Sequence, residues 1–172
     1  MTKSSIAHRA ACAVVLGFAM TGGFAPVAQA AATLPTRAYL PLKLAQQAAD
    51  TAIAKCRAGG YRVSVAVVAR GGATKVLVRD DGAGPHTVSS STGKAFAAAS
   101  LGRPTAGFAD LIAKKPALAG LRDMDRRLVL LGGGLPIRID GVLVGGIGVG
   151  GAPGGHLDEA CAKAGLGSIG GE

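Results

Sequence analysis

LVLLGGGLPIRIDGVLVGGIGVGG, residues 128–151, is the stretch whose reading decides the fold. It divides into three apolar runs, at 129–131, 135–139 and 142–149, separated by glycines and by Asp140-Gly141. Each run has strand length and branched side chains. Asp-Gly between two such runs is a hairpin signal, because both central residues of a type I′ turn need positive φ. The stretch therefore predicts an antiparallel ribbon of three strands, followed by a helical tail, HLDEACAKAG.

The same stretch contains Gly146-Ile147-Gly148-Val149-Gly150-Gly151, which formally satisfies G-x-G-x-x-G. A dinucleotide site also needs a following parallel strand with an acid about twenty residues on. The sequence reaches Glu172 before such a strand, and no Gly-Lys-Ser/Thr phosphate loop occurs. These glycines are expected to curve a strand or admit another backbone, not to cradle a cofactor.

Working outward, Leu42, Ala45, Ala49, Ala52/Ile53 and Cys56 recur at three-to-four spacing behind Pro41, predicting a helix closed by Gly59-Gly60. RVSVAVVA at 62–69 alternates and turns through Gly71-Gly72 into a partner strand at 74–79. A polar Gly/Pro loop leads to a helix starting at His86 and Thr87. Gly102-Arg103-Pro104 breaks it, and Thr105 is placed to cap a short helix over 107–115. Residues 117–127 read as an irregular connector. The last helix, 157–164, carries Asp158 and Glu159 in its first turn, where the helix dipole favours acids. Two blocks of strands separated by helices predict an α+β domain with one five-stranded antiparallel sheet and helices packed on it.

Residues 1–30 read as a signal peptide. Lys3, His8 and Arg9 precede an apolar run, and Ala28-Gln29-Ala30 offers a small-x-small cleavage pattern. No later segment reads as a membrane span. Residues 31–39 are expected to be a flexible N-terminal segment and 40–172 the folded domain. Without Lys3 and Arg9, seventeen basic residues face ten acids, a charge of +7. That favours an anionic ligand or surface. The basic residues are scattered along the chain without aromatic interleaving, and with export this argues against nucleic acid. Cys12 leaves with the leader, so Cys56 and Cys161 remain in an oxidising compartment. Both lie on core-facing stripes of the first and last helices. Either they form a disulfide or they are two unlinked buried thiols.

Chemistry-bearing residues are few. His86 and His156 each stand at the start of a helix, where the dipole disfavours imidazolium and leaves a neutral nitrogen available. No H-x-x-H or C-x-x-C spacing suggests zinc, and Ser89, Ser90 and Ser91 read as helix-start residues with no nucleophile elbow.

VAVVARGG, RDDGAGP, SSSTGKAFAAAS, PTAGFADLI, LLGGGLPI and DGVLVGGIGVGGAPGGHLDEACAKAG together resemble the GlcG/HbpS family of haem-binding and related proteins, formerly DUF336. The resemblance implies a profilin-like fold and assembly into homo-oligomers. It implies haem, or iron, as a ligand, and a threonine as an iron ligand, matched to Thr105. His86 is an independent candidate, since haem iron is ordinarily held by His, Cys, Met or Tyr. Phe96, Phe108 and Leu111 are candidates to face a macrocycle, and Lys94, Arg103 or Lys114 to meet its propionates. His156 completes the candidate set. Direct iron binding by Asp80, Asp81, Asp158 and Glu159 is the alternative.

The expectation is thus a periplasmic or secreted, oligomeric haem- or iron-porphyrin-binding protein: a carrier, scavenger or extracellular sensor, in which no catalytic constellation is read. The alternatives are an enzyme or accessory protein acting on a small organic acid, suggested by the family's operon associations, and a structural or signalling oligomer without a cofactor.

Overall fold

The sheet has four strands, not the expected five, antiparallel throughout, with Thr74–Arg79, Ser64–Ala69, Val142–Gly150 and Gly134–Ile139 side by side in that order. The computed structural model describes residues 33–172, of which Thr36–Glu172 form one compact unit. The signal-peptide reading lies outside the described residues.

Helix α1 spans Leu42–Ala58 and buries Ala45, Ala49, Ala52, Ile53 and Cys56 of the predicted stripe, together with Ala48, while Leu42 stays exposed. Strands β1 (Ser64–Ala69) and β2 (Thr74–Arg79) form the first hairpin. Helices α2 (His86–Leu101) and α3 (Ala106–Lys114) follow, then a 3₁₀ turn at Pro116–Arg122. Strands β3 (Gly134–Ile139) and β4 (Val142–Gly150) precede helix α4 (Gly155–Ser168). Asp140 and Gly141 take φ values of 49° and 74°, as the primed turn requires. Among the described residues, no helix is long and apolar enough to cross a membrane.

Alternation along the strands sorts side chains to two faces. Val65, Val67, Ile137, Ile147 and Val149 face α1 and α4, forming the main core. Ala66 and Val68 face α2 and meet Ala95, Phe96 and Ala99. On β4 the α2 face carries Gly146 and Gly148, where any Cβ would run into backbone atoms of Ala95 and Ser91. The G-x-G-x-x-G pattern is therefore a packing device: β4 presents Ile147 and Val149 to one layer and bare backbone to the other.

The expected strand at 129–131 does not form. Gly93 of α2 has no side chain, and a Cβ there would lie 2.9 Å from the Arg127 carbonyl oxygen and overlap Val129. The segment lies across α2 through this gap. Leu130 buries against Ala97, Phe108 and Ile112 instead of joining the sheet. The apolar run is real, but its partner is a helix.

Cys56 and Cys161 form a disulfide with Cα atoms 5.5 Å apart, joining α1 to α4. The helices come this close because their facing residues are small. At Gly165, a Cβ would stand 2.5 Å from the Ala48 carbonyl oxygen.

Candidate functional site

Helix α2 begins at a Gly/Pro loop and carries His86 exposed at its first residue. The imidazole folds back over Gly84, where a Cβ would be 2.6 Å from the His86 Cε1 atom. From this point an open cleft of about 700 Å³ runs along α2, with Ser89, Thr92, Gly93 and Phe96 on one wall. Ser89 and Thr92 donate their hydroxyl protons to the carbonyls of His86 and Val88 within the helix. That satisfies the hydroxyls locally and turns carbon towards the cleft.

The opposite wall comes from the connector, through Arg126, Arg127, Val129 and Leu131. The Arg127 guanidinium lies 4.0 Å from the Phe96 ring centroid, a cation–π contact. Asp125 holds it flat, accepting from Nε at 3.0 Å and Nη2 at 2.6 Å, and also accepts the Arg127 backbone N–H. The Arg127 side-chain hydrogen bonds are the main cause that pushes the Asp125 carboxyl down to about 2, and Arg127 is raised in turn. The Arg127 guanidinium thus bridges the two walls, stacked on Phe96 of α2 and paired through Nε and Nη2 with Asp125.

Past Ser90 and Leu131 the cleft continues into a more polar hollow of about 400 Å³ beneath the Gly151–Gly155 loop, and His86 lines both parts. Lys94 and Asp158 line this hollow, with side-chain exposures of 5% and 4%. Lys94 Nζ donates to Asp158 Oδ2 at 2.7 Å and to the Val149 carbonyl at 2.9 Å. Asp158 Oδ1 accepts the Ala152 N–H. Lys94 is thus committed to an internal ion pair, not held out for a propionate.

The remaining candidates lie elsewhere. Thr105 is fully buried; its hydroxyl donates to the Leu131 carbonyl and accepts the Gly134 N–H at 2.9 Å. It precedes α3 without a side-chain capping bond, because that hydroxyl faces the entry to β3. Arg103 stacks 5.4 Å from Phe108, and Phe108 is buried with Ile112 and Leu130. His156 is exposed at the start of α4, folded over Gly154. Leu111 packs with the Phe108 cluster and Lys114 is exposed at the end of α3. Of the nine candidates, the structure brings His86 and Phe96 together in the main cleft and places Lys94 beside His86 in the adjoining hollow. Asp80 binds Arg57 and Asp158 binds Lys94, and among the described residues no three His, Cys, Asp or Glu gather as a metal would need. Sequence reasoning missed Asp125, Arg126 and Arg127. The available signals were the local Asp-x-Arg pair and a glycine in mid-helix at 93.

These features define a small α+β protein with an open, largely apolar cleft bearing one histidine and a cationic wall. Residues 40–167 match the family described as haem degrading protein HbpS-like, and the chain belongs to that family. A double mutant of HbpS from Streptomyces reticuli is 43% identical, covering 83% of this chain and 95% of that one, with a TM-score of 0.74. Klebsiella pneumoniae protein ORFY is 28% identical over 81% of this chain and 97% of its own, TM-score 0.75. PduOC, crystallised as a haem complex, shares the fold at 24% identity and a TM-score of 0.72, covering 78% of this chain and 98% of that one.

Proposed function

We propose that this protein binds haem, or another iron porphyrin, in the cleft between α2 and the Arg126–Arg127 wall, as an exported carrier, scavenger or sensor. The observation that carries the reading is the composition of that cleft. Its volume of about 700 Å³ suits a macrocycle-sized ligand. Phe96, Val129 and Leu131 supply apolar surface, His86 a nitrogen donor at one end, and Arg126 and Arg127 cations for carboxylates. Family membership and the haem-bound relative of the same fold support it. Bound haem would supply redox-active iron; the chain's part is to orient it with His86 and to anchor its acidic edge. Export is supported by the disulfide, which persists in non-reducing compartments. Assembly into homo-oligomers is part of the same proposal.

Titration of protein beginning at Ala31 with hemin tests the reading. A saturable Soret shift is expected. His86→Ala should move the band and weaken binding at least tenfold, and Arg127→Ala should weaken it without moving the band. No saturable shift, or a shift unchanged in His86→Ala, Thr105→Ala and His156→Ala alike, overturns the site.

A further inference from the structure

The net charge of the chain is not spread over the fold. Between residues 33 and 79 stand eight lysines and arginines against Asp50 alone, whereas residues 80–172 carry nine basic and nine acidic side chains. The entire excess of +7 in the described part therefore belongs to α1, the β1–β2 hairpin and the segment leading into them. Spaced singly in the sequence, these residues are gathered by folding, because α1 packs on β1 and β2 at one side of the sheet.

Arg57 and Arg62 are answered by Asp80, and Arg79 donates to the Ala83 carbonyl. Arg37, Lys43, Arg70 and Lys75 make no ion pair among the described residues. Three of them, Arg37, Arg70 and Lys75, converge with Tyr39 on one small hollow at the hairpin's turn. Lys43 stands in the first turn of α1. Amid these cations Leu40 is 1% exposed and ties the segment to the core, while Tyr39 and Leu42 on either side stay 78% and 51% exposed. An aromatic and a leucine held outward beside unpaired cations match the interfacial region of a bilayer, where amphipathic rings and apolar side chains sit among headgroups.

We propose that this end of the molecule docks on the surface of a phospholipid bilayer rich in anionic headgroups, with Tyr39 and Leu42 entering the interface and Arg37, Lys43, Arg70 and Lys75 meeting phosphate. The hollow at Arg37, Arg70 and Lys75 shares no lining residue with the His86 cleft, and the proposal stands independently of the haem reading.

Co-sedimentation with vesicles tests it, using protein from Ala31 onward, which contains the whole compact unit and lacks the apolar leader. Binding is expected to vesicles of phosphatidylcholine mixed with phosphatidylglycerol, not to phosphatidylcholine alone, and to be released by salt. Each of Arg37→Gln, Lys43→Gln, Arg70→Gln and Lys75→Gln should weaken it roughly fivefold. Tyr39→Ser with Leu42→Ser should also reduce retention several-fold, and Lys114→Gln with Lys115→Gln, on the charge-balanced part, should leave it unchanged. All changed side chains are at least partly exposed, and circular dichroism checks that each variant is folded. No binding, equal binding to neutral vesicles, equal loss in the Lys114/Lys115 variant, or full retention in the Tyr39/Leu42 variant overturns the proposal. The last result would define a general polyanion surface instead.

Discussion

Lys94 of α2 and Asp158 of α4 meet 2.7 Å apart around the end of the sheet, joining the helix on one face to a helix on the other. Gly133, with φ of +113°, makes room for the pair; a Cβ there would be 2.6 Å from Asp158 Cβ and 3.1 Å from Lys94 Nζ. Removing one partner leaves a buried charge without its complement, which costs about 3–5 kcal/mol. Lys94→Met and Asp158→Asn are each expected to lose that much in urea denaturation. The double variant should lose less than the sum, by about 1 kcal/mol or more, because no lone charge remains. Strict additivity would show that the ion pair does not couple the two layers.

The disulfide ties α1 to α4 across 105 residues of sequence. Closing a loop of that length restricts the unfolded chain, and the stabilisation on this account is roughly 3–5 kcal/mol. Cys56→Ala with Cys161→Ala should lower the urea midpoint accordingly without changing the fold. Because Cys56 is fully buried and Cys161 3% exposed, reductant should act on the native protein no faster than it opens. Thiol release measured against unfolding rate checks this; rapid reduction of the native state would refute it.

Acid should loosen the cleft wall before it unfolds the protein. The folded Asp125 carboxyl sits at about 2, below its ordinary value of 3.8, chiefly because Arg127 hydrogen-bonds the carboxylate. A lowered folded value contributes stability above the unfolded value and loses it as pH falls. The Asp125–Arg127 contribution is thus complete above about pH 4 and fades towards pH 2. Asp80, lowered mainly by its hydrogen bond from Arg57, has the same sign. Carboxyl carbon shifts followed by NMR should place Asp125 near 2, and raised towards its ordinary value in Arg127→Ala, which removes the guanidinium but keeps the backbone N–H. An Asp125 titration unmoved by that substitution would separate the two groups.

Most of the fold is legible in the sequence because its signals are local. The period of α1, the Asp140-Gly141 turn and the alternation in β1 each act within a few residues. The run at 129–131 fails that test: three apolar residues suit a strand or a buried crossing equally, and Gly93, more than thirty residues earlier, decides between them. For the same reason the cleft was only half visible. His86 and Phe96 stand out as residue types on a predicted helix. Arg126 and Arg127 acquire meaning only when the connector is pressed onto α2. Lys94 illustrates the converse, since its amine looks available in the sequence and is claimed in the fold by Asp158, sixty-four residues away.

Thr105 separates a structural hydroxyl from a ligating one. Its Oγ1 gives its proton to Leu131 and accepts the N–H of Gly134, while the Thr105 N–H donates to the Gly134 carbonyl. Thr105 thereby fixes where the connector ends and β3 begins. Thr105→Val keeps the shape but leaves the buried Gly134 N–H and the partly buried Leu131 carbonyl without that partner, at about 1–3 kcal/mol. Thr105→Ser restores the hydroxyl and should recover most of the loss. A clamp predicts that folded Thr105→Val protein binds hemin with unchanged affinity and an unchanged Soret maximum, with the deficit confined to denaturation. An iron ligand predicts the reverse, a shifted band and weaker binding in Thr105→Val at similar stability. With both bonds formed inside the fold, Thr105→Val is expected to fall on the side of the clamp.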